Sequence, residues 1–154
     1  MTQNKKAQSQ KSVIIQRTIA AAPEKVFAAW TNPDLLLQWW SPPGAKVTSV
    51  EMDLRVNGRY RIGIQQPNNA IYFVNGTYQI IQPPEKLVFT WRWEQPEMDI
   101  GESLVTIELS GENGRTHLCL THAKLPHEPA RTAHRHGWEG ILGSLGTFLE
   151  THNV

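Results

Sequence analysis

The sequence predicts an α+β fold: a curved, seven-stranded antiparallel sheet wrapped around one long C-terminal helix, with two short helices between the first and second strands. Three observations predict it. Six consecutive segments between residues 46 and 123 alternate apolar and polar residues with period two. Only short, turn-like stretches separate them, and connections that short join antiparallel neighbours. The stretch HRHGWEGILGSLGTFLE at 134–150 then changes period: Trp138, Ile141, Leu142, Leu145, Phe148 and Leu149 fall on one helical face, within roughly 120°.

Taken in order, residues 1–11 (MTQNKKAQSQK) are polar and aperiodic and are expected to form a disordered tail, ahead of a single domain at 12–154. SVIIQRTI at 12–19 is β-branched and reads as the first strand. In PEKVFAAWT, Pro23 suits the first helical position, and Val26, Phe27 and Trp30 share a face. Asn32-Pro33-Asp34 ends that helix and caps a second, NPDLLLQWW, which Ser41-Pro42-Pro43-Gly44 stops. The strands KVTSVEMDL, RYRIGI, IYFVNGTYQII, KLVFTWRWE, ESLVTIELS and RTHLCLTHA follow, and then the long helix, starting near Pro129.

A chain of 154 residues, 40% hydrophobic and 19% charged with formal net charge +1, suits one globular domain and gives no general field for nucleic acid. Cys119 is the only cysteine, which excludes an intramolecular disulfide and a thiolate zinc cluster. No apolar run approaches a membrane helix and no signal-peptide core stands at the start, so no membrane partner is expected and the cytoplasm is the expected compartment.

Alternation along the strands assigns an inner face, and it is rich in aromatics with polar tips. Tyr60, Ile62 and Ile64 contribute from one strand; Tyr78 and Ile80 join after a kink allowed by Gly76. Leu87, Phe89, Trp91 and Trp93 follow, then Val105, Ile107 and Leu109, then Thr116, Leu118, Leu120 and His122. Cores built only for packing favour Leu, Ile, Val and Phe, because a buried phenol or indole needs a partner. The candidate ligand-binding residues are therefore Tyr60, Ile62, Tyr78, Phe89, Trp91, Trp93, Leu118, Leu120, His122, Trp138, Ile141, Leu142 and Leu145, around a cavity between sheet and helix. A filled core of large aromatics is the alternative.

The histidines do not spell a metal site. On a helix, His134 and His136 lie about 200° apart and cannot chelate together. One of the two is expected to pack or cap at the helix start. His117, His122, His127 and His152 complete no metal motif, and no metal or other cofactor is expected. His122 is either a ligand contact or a core histidine satisfied by a hydrogen bond. Cys119 faces away from it, Asp53 and Glu108 have no carboxylate partner, and no catalytic constellation emerges. Arg55, Arg59 and Arg61 read as a salt-bridged strand end, with phosphate binding the lesser alternative.

Gly140, Gly143 and Gly146, with Ser144 and Thr147, lie opposite the apolar stripe of the last helix. Either a second subunit approaches this smooth face, giving a homodimer, or the helix is soft enough to bend and admit a ligand. The homodimer is the favoured reading.

RTIAAAPEKVFAAWTNPDLLLQWW, EMDLRVNGRYR, GTYQIIQPPEKLVFTWRW, LVTIEL with GRTHLCLTH, and HGWEGILGSLGTFL together resemble the activator of heat-shock-protein-90 ATPase homologue-like family, within the START-like (SRPBCC) helix-grip superfamily. The resemblance runs from about Val13 to Leu149, and PPEKLVFTWRW and Gly137-Trp138 are its most specific parts. It implies a seven-stranded sheet gripping the C-terminal helix around a cavity, in mostly small bacterial proteins of unassigned function. Superfamily relatives bind lipids, polyketides or plant hormones, and some cyclise or hydroxylate aromatic substrates. The eukaryotic namesake stimulates a chaperone ATPase with an additional N-terminal domain, for which the short polar start of this chain is no substitute. Where the family has Gly-Gly before the third strand, this chain has Asn57-Gly58, and Asn tolerates the positive φ of such a turn.

The expected function is binding of a small or medium hydrophobic molecule in the cavity. An enzyme of the cyclase or hydrolase type, moving a proton through His122 or Tyr78, is one alternative. A protein-interaction or chaperone-regulator role on the outer surface is the other.

Overall fold

The structure, a computed structural model, describes residues 12–40 and 44–151. The expected tail at 1–11, the helix stop at 41–43 and His152 lie outside these residues. β1 (Val13–Ile19) leads into α1 (Pro23–Thr31) and α2 (Pro33–Trp39). β2 (Lys46–Met52), β3 (Arg59–Gln65), β4 (Ile71–Gln82), β5 (Lys86–Trp93), β6 (Ser103–Glu112) and β7 (Arg115–Ala123) then form a meander, and α3 (Glu128–Thr151) closes the chain. The sheet order is β1-β7-β6-β5-β4-β3-β2, antiparallel throughout, so β1 returns beside the last strand. The predicted architecture is the one observed: a curved sheet gripping α3.

Local chemistry sets the joints. Pro23 and Pro33 occupy the first turns of α1 and α2, where a missing N–H costs nothing. The Asn32 side chain accepts from the amides of Asp34 and Leu35, capping α2. Asn113 and Gly114 both have positive φ, the two-residue hairpin geometry whose twist suits β6 and β7. At the turn before β3, Asn57 adopts φ +69°, as expected of an asparagine there. Gly58 is required for a different reason: a Cβ would collide with the carbonyl of Asp53.

The inner-face assignment holds on β3, β5, β6 and β7 and fails at one position on β4. The ladder slips between Tyr78 and Ile80, so Ile80 pairs with Val88 on the outer side and Ile81 packs against the core opposite Leu87. A bulge inserts one residue, and every side chain beyond it changes face. Gly76 also has a role beyond bending: any Cβ there would overlap the Thr90 carbonyl. Around that point the Thr90 hydroxyl accepts from the Thr77 amide, and the Tyr60 hydroxyl donates to the Thr90 carbonyl.

The whole stripe of α3, Trp138 to Leu149, is buried, each large side chain contributing on the order of 2 kcal/mol of apolar burial. The opposite side is open: a Cβ at Gly143 or Gly146 would meet nothing within 4 Å. Arg55 pairs with Asp53, and Arg61 makes a two-pronged pair with Glu94, giving the salt-bridged strand end expected of that cluster.

Candidate functional site

The concave face divides into a filled half and a hollow half. In the filled half Tyr60, Tyr78 and Phe89 pack ring against ring, with centroids 5.5–6.3 Å apart, beneath Trp30, Leu36 and Trp40 of the short helices. The space left there is about 10 Å³, at the lower limit for one water. Burial, and then the neighbouring Tyr78, hold the Tyr60 hydroxyl protonated far above its ordinary range, and burial does the same for Tyr78. Tyr60 is thus a structural donor to Thr90.

The hollow half is a pocket of about 220 Å³ between β5 and α3. Trp91 and Trp93 of β5, Trp138 and Ile141 of α3, Trp40 at the end of α2 and Ile64 of β3 supply its apolar wall. Its rim carries Gln66, Met98, His134 and His136. Of the sequence candidates, Trp91, Trp93, Trp138 and Ile141 border this pocket, and Tyr60, Ile62, Tyr78 and Phe89 border the small space. Leu118, Leu120, His122, Leu142 and Leu145 border neither; they are packed in the core. Trp40 and His134 belong to the pocket without having been candidates. The Trp39-Trp40 doublet at the end of a short helix was the available signal for the first.

Two histidines organise the wall. His122 is 0% exposed; its Nδ1 accepts from the Trp138 indole at 2.9 Å, so its proton is on Nε2, 2.7 Å from Ser103 Oγ. Ser103 then donates to the Trp91 carbonyl. His134 carries the opposite tautomer: Nδ1 donates to the Ala130 carbonyl and Nε2 accepts from the Trp93 indole at 3.1 Å. The imidazole centroids are 4.8 Å apart. Burial first, and for His122 also the proximity of His134, push both rings toward the neutral form. Both are therefore satisfied at both nitrogens. His122 has no lone pair with which to take a substrate proton. His134 is the histidine that packs at the start of α3; the capping one is His127, whose Nδ1 accepts from the Ala130 amide.

All six tryptophans join in one contiguous cluster running from Trp39 and Trp30 through Trp40 to Trp91, Trp93 and Trp138. Trp40 stacks on Trp91 with ring planes 7° apart. Trp39 donates to the Ala29 carbonyl, which pins α2 onto α1.

The family model for activator of Hsp90 ATPase homolog 1-like proteins matches residues 20–150. The chain belongs to this family. Solved structures of similar fold include an AHSA1 protein of Silicibacter pomeroyi, 29% identical, with TM-score 0.79 over 91% of this chain and 98% of that one. A protein of Rhodobacter sphaeroides is 26% identical, with TM-score 0.81 over 94% and 95% of the two chains. A protein of Chromobacterium violaceum shares the fold at 24% identity, with TM-score 0.82 over 92% and 98%. No curated protein matches. Family membership accounts for the START-like sheet-and-helix grip, a fold commonly used to hold hydrophobic ligands.

Proposed function

We propose that the protein binds a small hydrophobic molecule in the pocket walled by Trp40, Ile64, Trp91, Trp93, Trp138 and Ile141. One observation carries this reading: the concave face is tightly filled around Tyr60 and Phe89 but keeps about 220 Å³ free under four indole rings. Aromatic walls with a few polar groups at the mouth suit an apolar occupant. Burying one at ~25 cal/mol per Å² of apolar surface supports dissociation constants on the order of 10–100 µM after the costs of association. A cytoplasmic setting is part of the proposal and rests on the single, free cysteine.

Proton transfer by His122 is disfavoured by its geometry, since Trp138 and Ser103 occupy both ring nitrogens. Native mass spectrometry of freshly purified protein tests the binding reading. Extra mass that is released on denaturation is the expected result; a bare chain that also takes up no added apolar probe would refute it.

A further inference from the structure

Hydrogen-bonding capacity around the pocket is lopsided. The Trp93 indole is paired with His134, the Trp138 indole with His122, and both imidazoles are occupied at both nitrogens. The indole N–H groups of Trp91 and Trp40 are different. Each ring is only 3% exposed, each borders the pocket, and neither nitrogen has a partner among the described residues. Trp30 is also unpartnered, but it faces only the small space of about 10 Å³. Buried donors are rarely left unpaired, and each such case calls for a physical reason.

Two unpaired donors therefore lie just behind the described inner wall; Gln66, half-buried, and His136, exposed, stand at the rim. An indole can only donate. Both nitrogens are closed to water by the rings around them, so the complementary group is one that enters the pocket and shifts the Trp40–Trp91 stack. An alcohol or amine would bring a hydrogen that neither indole can receive. A carbonyl or ether oxygen would not.

We propose that the natural ligand is an apolar, ring-sized molecule whose buried end carries an acceptor-only oxygen, a ketone, quinone or ester carbonyl above all, read by Trp91 with Trp40 beside it. The proposal rests on the pocket being a ligand site and adds the chemistry that site selects.

Calorimetric titration of the full chain with tetralin, 1-tetralone and 1-tetralol separates the two levels. The three differ little in shape, and the ketone and alcohol are close in polarity. The ketone should bind about tenfold more tightly than the alcohol, the scale of one buried hydrogen bond against one unsatisfied hydroxyl. Trp91→Phe or Trp40→Phe should erase that preference, read as the ratio of ketone to alcohol affinity in each variant. Should either variant fail to fold, wild-type protein gives an independent readout: 1-tetralone should move a Trp91 or Trp40 indole N–H proton downfield in NMR spectra, and tetralin should not. Equal binding of ketone and alcohol with tetralin still bound, or a preference that survives both substitutions, overturns the acceptor proposal and leaves the pocket. No binding of any of the three overturns both.

Discussion

Trp138 donates its indole N–H to Nδ1 of His122 at 2.9 Å, tying α3 to β7 through two side chains that are 1% and 0% exposed. A second tie, from Trp93 to His134, joins β5 to α3. The four rings that make these two bonds all neighbour Trp91. The bonds fix the spacing of helix and sheet beside the pocket.

Stability should fall with pH in the histidine range. Burial holds both imidazoles neutral in the native state, so their folded pKa values lie below the ordinary value of about 6.5. As pH drops below that value the unfolded chain takes up protons that the folded chain refuses. The contribution is complete above about pH 6.5 and declines below it, by up to ~1.4 kcal/mol per pH unit for each histidine. Glu94 and Asp99 have lowered pKa values through their arginine partners, so their loss begins only at more acid pH. Urea denaturation at pH 7.5, 6.0 and 5.0 checks this; a flat profile would mean that the rings are not held neutral.

His122→Leu should cost about 2 kcal/mol or more, because Trp138 and Ser103 would both lose a partner inside the core. Ser103→Ala should cost less: the His122 Nε2 proton and the Trp91 carbonyl each lose the Ser103 hydroxyl, but Trp138 keeps its bond to His122. The ordering of urea midpoints, with His122→Leu below Ser103→Ala, is the measurement.

Gly76→Ala should be among the most damaging single-methyl changes in the chain. Its Cβ would meet the Thr90 carbonyl, a backbone atom with no room to retreat while β4 and β5 stay paired. A loss of about 3 kcal/mol or more, or failure to fold, is expected. Near-normal thermal stability would contradict the close approach.

Gly143→Ala and Gly146→Ala should each stabilise α3 by up to ~1 kcal/mol, since open space lies where each methyl would go. Denaturation midpoints and the mass in solution should be read together. A loss of stability accompanied by dissociation would mean instead that a second copy covers this face.

Much of the fold was legible in the sequence because its signals are local. Period-two segments, Pro and Asn at helix starts, and the Trp138–Leu149 stripe each act within a few residues. The β4 bulge was not, since Ile80 and Ile81 are both apolar and only pairing with β5 decides which turns inward. The pocket was legible by composition but not by position. Whether Phe89 or Trp93 borders free volume depends on rings brought from α2 and α3, and alternation along β5 treats the two alike. The Trp93–His134 bond joins residues 41 positions apart, and no spacing rule reaches that far. His122 was weighed as a ligand contact or a satisfied core histidine, and Ser103 and Trp138 make it the latter.

The most direct test of the central claim uses Gly137, which borders the pocket and whose Cβ would have nothing within 4 Å. Gly137→Ala should fold and bind 1-tetralone much as wild type does, while Gly137→Leu should fold and fill the pocket. Titration of the two variants side by side should show binding on the order of 10–100 µM for the alanine and none for the leucine. Equal binding by both, with both folded, would contradict the claim that the space beneath Trp91, Trp93 and Trp138 is where the ligand goes.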